Sequence, residues 1–221
     1  MRQSLKFACA ALLGPLVFGG CTGVQVKPDP DLPTPLVRPM PANVGLVLGT
    51  ELSGYRHEET RQGGDWLVEL GPGHVEEFES IFRASFAELQ VFPSLDAARA
   101  ATGLQAIFQP GIEQYSFTTA RDTTGGYWAV TIRYRIAVLT PAGEQADVLS
   151  LTGYGSARDK GGSRKSLESA TLSAMRDAAA KFLVQLPRQP LAAQLRAGQV
   201  VQVGAAAAVA VDAIELVPLE P

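Results

Sequence analysis

Cysteine and histidine are scarce in this sequence. Its 221 residues include two of each, namely Cys9, Cys21, His57 and His74. A zinc-protease helix needs a second histidine four positions after the first, and none follows His57. No G-x-S-x-G nucleophile elbow occurs either. The sequence therefore indicates no catalytic residues, no metal site and no cofactor. We expect a non-enzymatic protein in which both histidines are exposed polar residues.

Basic residues are too few for a nucleic-acid-binding protein. Lys and Arg number 19 against 22 Asp and Glu, which gives a net charge of −3 at neutral pH. Phosphate binding requires a basic surface. Hydrophobic residues make up 46% of the chain, as in an ordinary folded domain. The composition thus predicts a globular protein without a nucleic-acid partner.

The first residues of the chain have the layout of a secretion signal. Two basic residues lie before position 7, an apolar run of about 12 residues ends at Phe18, and two glycines precede Cys21. The run is too short to cross a bilayer, which takes about 20 apolar residues. We interpret residues 1–20 as a signal peptide. An ordinary secreted protein with a cysteine near its cleavage site is the alternative.

The Gly19-Gly20-Cys21 sequence resembles the lipobox of bacterial lipoproteins. In that family the cysteine is acylated and becomes the mature N-terminus, so the resemblance implies that Cys21 is the lipidation site and attaches the protein to a membrane. The next residue is Thr22, whereas an Asp there marks retention in the inner membrane of enteric bacteria. The resemblance therefore implies an anchor in the outer membrane, on its periplasmic face.

Residues 21–42 are rich in proline, which disfavours both helices and central strands. We predict that this segment is an extended tether. Residues 43–187 have the patterns of a folded domain. Residues 188–221 are ambiguous and predict either extra strands or a loose apolar tail.

The domain pattern predicts an α+β fold with a mostly antiparallel sheet and two long helices packed on one face. A continuous apolar run at residues 44–48 indicates a buried strand, and glycines near residue 63 indicate a hairpin within residues 53–70. Apolar residues at helical spacing predict one helix from about residue 75 to 90 and another from about 166 to 185. The clearest strand spans residues 128–138, where apolar side chains alternate with polar ones.

The polar side of this clearest strand carries Arg133 and Arg135. Both should face water, where they could contact an acidic partner or phospholipid headgroups. The alternative is that they pair with carboxylates on neighbouring strands, such as Glu113 or Asp147, because cross-strand ion pairs are common.

The whole layout resembles the YajG-type bacterial lipoproteins and their relatives with small αβ domains. The matching features are the lipobox, the proline-rich tether, the buried first strand, the phenylalanine-rich helix, the alternating strand with its return, and the alanine-rich helix. The hairpin at residues 53–70 and the tail after residue 189 depart from that pattern. The resemblance implies an envelope location and a non-enzymatic role, without a mechanism.

Two functions fit these expectations. In the first, the protein binds or scaffolds another component of the cell envelope, with an envelope protein as partner. In the second, it is an accessory lipoprotein of a lipid or solute transport system and binds a hydrophobic ligand. A pocket lined by Trp128 and phenylalanines would favour the second function. A filled core with an exposed sheet edge would favour the first.

Overall fold

A computed structural model describes residues 23–30, 35–61, 63–159 and 161–203. The predicted signal peptide, the predicted lipidation site Cys21 and residues 204–221 of the predicted tail lie outside the described residues. Within the described ranges, no helix is both long enough and apolar enough to cross a membrane.

The described chain forms eight strands and five α-helices. The strands are β1 (Val24–Val26), β2 (Met40–Val47), β3 (Arg56–Arg61), β4 (Gly64–Glu69), β5 (Phe86–Phe92), β6 (Ala106–Thr118), β7 (Tyr127–Leu139) and β8 (Gln145–Arg158). The helices are α1 (Thr50–Ser53), α2 (Gly71–Ser85), α3 (Leu95–Arg99), α4 (Ser163–Gln185) and α5 (Pro190–Arg196).

The larger sheet has five strands in the order β5-β2-β6-β7-β8, and the smaller sheet has the order β1-β4-β3. The predicted α+β class is confirmed. The larger sheet is mixed and not wholly antiparallel, and its two antiparallel pairs are longer than its two parallel ones. Strand β2 runs parallel to both β5 and β6, whereas the β6–β7 and β7–β8 pairs are antiparallel. The parallel pairs arise because a helix crosses over between the strands: α2 lies in the connection from β2 to β5, and α3 lies in the connection from β5 to β6.

Both long helices pack on one face of the larger sheet, as predicted. The ring of Phe82 on α2 lies 5.0 Å from that of Phe182 on α4 and 5.1 Å from that of Phe108 on β6. The smaller sheet packs on the same face, where Trp66 of β4 lies 5.3 Å from Trp128. Helix α3 lies on the opposite face and covers only one end of it, around Ile107 and Leu139.

Helix α4 approaches β8 very closely because two glycines on β8 face it. A Cβ atom at Gly153 would clash with the Ala174 carbonyl, and one at Gly155 would clash with the Ala170 carbonyl. The helix backbone therefore lies directly against the strand, which only glycine at these two positions permits.

The first long helix begins and ends earlier in the sequence than predicted. It ends at Ser85, and residues 86–92 form strand β5 instead of a further helical turn. The apolar residues Phe86 and Leu89 fit helical spacing, but they pair with Met40 and Val44 of β2. A short apolar run is compatible with a helix or a strand. Pairing with β2 makes these residues a strand.

Part of the predicted tether belongs to the fold. Strand β1 pairs with β4, and Val26 is fully buried. The chain after β1 also packs tightly, because a Cβ atom on Gly73 of α2 would lie 2.8 Å from the Pro28 carbonyl oxygen. At the other end, the beginning of the predicted tail forms helix α5, and Leu195 and Val201 are buried. Residues 190–196 therefore form a packed helix, and Val201 packs against the domain after the helix has ended, without forming an extra strand.

Candidate partner-binding face

The outer side of strands β6, β7 and β8 forms a polar surface that we call the open face. The strand registers place its residues side by side, on the side of the sheet away from α2 and α4. Its members are Gln114, Ser116 and Thr118 on β6, Tyr127, Ala129, Thr131, Arg133 and Arg135 on β7, and Ser150, Thr152, Tyr154, Ser156 and Arg158 on β8. They are all exposed or half-buried. No carboxylate is among them.

Arg133 and Arg135 lie two residues apart near the middle of this face. Arg133 is exposed and stands between Gln114 and Thr152 of the neighbouring strands. Arg135 is half-buried and donates a hydrogen bond of 2.8 Å to the Gln145 side chain. The prediction that both arginines face solvent agrees with this arrangement.

The alternative prediction, pairing of the arginines with Glu113 or Asp147, is wrong. Among the described residues, neither guanidinium forms an ion pair. Asp147 instead accepts a hydrogen bond of 2.7 Å from the Val148 amide, and Glu113 lies at the irregularity between Ile112 and Gln114. The positive charges of Arg133 and Arg135 thus remain uncompensated, and their direct neighbours on β6 and β8 are neutral.

The aromatic residues that could have lined a ligand pocket fill the core instead. Trp66, Phe117 and Trp128 pack together with ring centroids 5.3 to 6.3 Å apart, and Trp128 is only 3% exposed. The gap between α2 and α4 beside Phe78 and Phe182 has a free volume of about 10 Å³, which is room for one water molecule. No hydrophobic ligand fits either place without rearrangement.

A larger cleft of about 320 Å³ opens at the carboxyl ends of β2 and β5. The chain leaves these two strands toward opposite faces of the sheet, an arrangement that often holds a ligand. Glu51 is the one charged side chain among its described walls, and neutral polar groups come from Thr50, Tyr55, Ser94 and Gln109. The cleft therefore combines one carboxylate with neutral polar groups.

His74 is not the exposed residue that we predicted. It is completely buried, with Nδ1 2.7 Å from the Leu70 carbonyl oxygen and Nε2 2.7 Å from the Tyr134 hydroxyl. Because a carbonyl only accepts, Nδ1 carries the proton and Nε2 accepts from Tyr134. Burial lowers the pKa of His74 to about 4, against the opposing effect of the Leu70 hydrogen bond.

Glu77 is buried beside this pair. Its Oε2 lies 4.0 Å from His74 Nε2, and its Oε1 has no hydrogen-bond partner. Burial raises the pKa of Glu77 to about 8, so the carboxyl group is mostly protonated at neutral pH. The sequence prediction missed this residue because a carboxylate in the first turns of a helix usually faces water. The one usable signal was its position four residues before Ile81, on the apolar side of α2.

His57 is half-buried on β3, also contrary to the expectation of exposure. Its Nε2 lies 3.1 Å from Glu59 Oε2, and its ring packs against Tyr115 at 5.0 Å. Burial alone would raise the pKa of Glu59, but hydrogen bonds from His57 and Arg61 lower it. Across the part of the chain that the structure describes, no three His, Cys, Asp or Glu side chains could hold a metal ion together.

Comparisons with known proteins find similar solved structures but no matching sequence family. No protein-family model matches the sequence, and no curated protein matches it. Among solved structures, the chain is similar to protein XCC0632 of Xanthomonas campestris, with 12% identity over 72% of this chain and 89% of that one and a TM-score of 0.44. It is similar to protein CT253 of Chlamydia trachomatis, with 12% identity over 66% and 95% and a TM-score of 0.44.

A third similar structure is lipoprotein GNA1162 of Neisseria meningitidis, with 12% identity over 64% of this chain and 99% of that one and a TM-score of 0.32. A bacterial lipoprotein is thus among the structures that this chain resembles. Nothing in the comparisons is specific to the YajG type. Similarity at this level does not carry over a function, which has to be argued from the open face itself.

Proposed function

We propose that this protein is a lipid-anchored, non-enzymatic envelope lipoprotein whose open face binds an acidic surface of another envelope protein. One observation supports this proposal above the others. Arg133 and Arg135 stand without an ion-pair partner on an uncovered part of the sheet. Guanidinium groups form bidentate hydrogen bonds with carboxylates, and they do so at less hydration cost than lysine.

The surroundings of the arginines suit a protein partner. The hydroxyl and amide side chains of Ser150, Thr152 and Gln114 can donate or accept hydrogen bonds at the rim of an interface. The net charge of the chain is negative, so a local positive surface would orient an approaching acidic partner toward this face and away from the others.

The position of β1 bears on how the anchor would hold the domain. Strand β1 begins at Val24, three residues after Cys21, and three extended residues span only roughly 10 Å. A lipid on Cys21 would therefore keep the folded part close to the bilayer. Strand β1 lies in the layer on the helix side of the larger sheet, so the open face would point away from the membrane. This favours a protein over phospholipid headgroups as the partner.

We assign the anchor to the periplasmic face of the outer membrane, because Thr22 stands where the inner-membrane retention signal would need an Asp. The competing function, binding of a hydrophobic ligand for a transport system, has less support. The aromatic residues around Trp128 are packed against each other, and the gap between α2 and α4 holds one water at most.

Charge reversal on the open face tests the proposal. The variant Arg133→Glu/Arg135→Glu should no longer co-purify with the partner that accompanies the full-length, membrane-extracted wild type. The matched control is Arg164→Glu/Arg188→Glu, which changes the charge equally at two exposed residues on the helix side. Binding by the control and not by the open-face variant supports the proposal. Equal binding by both variants would show that the partner uses another surface.

A further inference from the structure

The two outer strands of the larger sheet differ in how their backbone groups are satisfied. At the β8 edge, the Tyr154 amide donates to Asp177 Oδ2 at 2.8 Å, and the Thr152 carbonyl accepts from Lys181 Nζ at 2.8 Å. Both side chains come from α4 and occupy hydrogen-bonding positions that another strand would use. This edge is therefore protected against pairing with a further strand.

The β5 edge has no such protection among the described residues. The Phe92 carbonyl accepts from the Leu48 amide at 3.0 Å, so Phe92 points its backbone groups at β2. Because backbone groups alternate along a strand, Leu89 and Val91 point theirs outward. No described strand pairs with β5 on this side. Val91 is 40% exposed, and Glu88 is the one charged residue in the strand.

We propose that β5 pairs antiparallel with β5 of a second copy of this chain, about a two-fold axis at Leu89. The sequence of the strand, Phe-Ala-Glu-Leu-Gln-Val-Phe, reads similarly in both directions around that residue. The pairing joins two five-stranded sheets into one continuous sheet across the dimer. Such an interface uses the same surface on both copies and closes on itself, so it does not extend into a filament.

In this register the outward backbone groups form hydrogen bonds, and the side chains of the two copies form compatible pairs. Leu89 faces its own counterpart and Ala87 faces Val91, both as hydrogen-bonded pairs, which yields about six ladder hydrogen bonds. These apolar side chains lie on the same face of the sheet as the core around Val44 and Leu46. On the opposite face, Glu88 stands beside Gln90 of the second copy, and the amide can donate to the carboxylate.

The neighbouring registers are less favourable. Moving the axis to Glu88 would place the two carboxylates directly opposite each other, which is destabilising in a sheet. Moving it to Gln90 would place the same carboxylate opposite Phe92. Charge therefore selects the register centred on Leu89, and this selection is why we commit to a second copy and not to an unrelated strand.

Cysteine pairs at adjacent positions test both the partner and the register. Glu88 and Gln90 of the second copy form a non-hydrogen-bonded pair, with Cα atoms about 4.5 Å apart, which permits a disulfide. Two differently tagged full-length copies, one with Glu88→Cys and one with Gln90→Cys, are co-expressed and oxidised in intact membranes. We expect a cross-linked dimer from this mixed pair and little from either variant paired with itself.

The cross-linking experiment has three outcomes that decide the proposal. A dimer from the mixed pair alone supports the proposed interface. No dimer from any pair, or equal amounts from all three pairs, overturns it, because the second pattern indicates random collision. A Val91→Lys change on the mixed pair should reduce the cross-link several-fold by placing a charge at the exposed edge. Val200→Lys, also at an exposed valine, should leave the cross-link unchanged.

Discussion

The Tyr134 hydroxyl donates a 2.7 Å hydrogen bond to Nε2 of His74 in the closed core between β7 and α2. Both residues are almost entirely buried. The bond holds the first turn of α2 against the centre of the sheet, because His74 Nδ1 also donates to the Leu70 carbonyl at the start of the helix. The first prediction concerns this bond.

Replacing Tyr134 with Phe removes the hydroxyl and leaves His74 Nε2 buried without a donor. An unsatisfied buried acceptor costs about 1–3 kcal/mol, and we expect the free energy of unfolding to fall by that amount in urea titrations. Tyr154→Phe is the control, because Tyr154 is 60% exposed and should lose under about 0.5 kcal/mol. Similar losses in the two variants would contradict the role of the His74–Tyr134 bond.

The second prediction concerns the pH dependence of stability. Glu77 has a pKa of about 8 in the folded protein and an ordinary value of 4.5. Between these values the folded state holds a proton that the unfolded state has lost. The stabilisation is therefore full below pH 4.5 and is lost as the pH rises through 8. His74 has the opposite dependence: its pKa falls from 6.5 to about 4, so its contribution is present above 6.5 and is lost as the pH falls through 4.

Glu77→Gln should remove the first of these dependences and leave the second. The stability of Glu77→Gln relative to the wild type should therefore rise by about 1.4 kcal/mol per pH unit from pH 5 toward pH 8. Urea unfolding at several pH values measures this difference, and Glu76→Gln, at a less buried neighbour on α2, should show no such trend. A constant difference between Glu77→Gln and the wild type would mean that Glu77 is already ionised in the folded protein.

The third prediction concerns the contact between α4 and β8. Gly155→Ala would push a methyl group into the Ala170 carbonyl, so helix and strand must separate. Overpacking of this kind costs about 1–3 kcal/mol and sometimes more. Ser156→Ala changes the next residue, which faces the open side, and should be nearly neutral. Thermal unfolding of the two variants compares them, and equal melting temperatures would show that α4 does not lie against the strand in this way.

The fourth prediction concerns the anchor. Cys21→Ser removes the thiol that would be acylated, so the variant should leave the membrane fraction after a high-salt wash. Stable attachment through lipid requires two or more acyl chains, and no described helix is long and apolar enough to cross a membrane. On sucrose gradients, the wild type should follow outer-membrane markers. A Cys21→Ser protein that stays with the membranes would disprove lipidation as the anchor.

Strand β7 and its inward and outward sides could be predicted from the sequence because one side of the strand is buried. Trp128, Ile132 and Tyr134 face the core, as the alternation predicts. A single-residue shift would bury the arginines instead, so burial specifies the register strongly. The same reasoning indicated that Arg133 and Arg135 face outward.

Other features depend on contacts between distant parts of the chain, which periodicity does not contain. Phe86 and Leu89 fit a helix, and only the pairing with β2 makes the segment a strand. The parallel order of β5, β2 and β6 likewise follows from where α2 and α3 cross the sheet. Val26 lies among prolines, yet it is buried by pairing with β4. The burial of Glu77 likewise depends on a tertiary contact, because α4 packs beside this part of α2.

The central claim is that an envelope protein binds at Arg133 and Arg135. A photo-reactive amino acid at Thr152, next to Arg133 on the open face, tests it in living cells with the full-length, membrane-bound protein. Val184, 54% exposed on α4, is the control position. We predict one defined cross-linked protein from position 152, none of it from position 184, and its loss when Arg133 and Arg135 are both changed to Glu. The absence of a cross-link at position 152, or one that persists after both charges are reversed, would contradict the account.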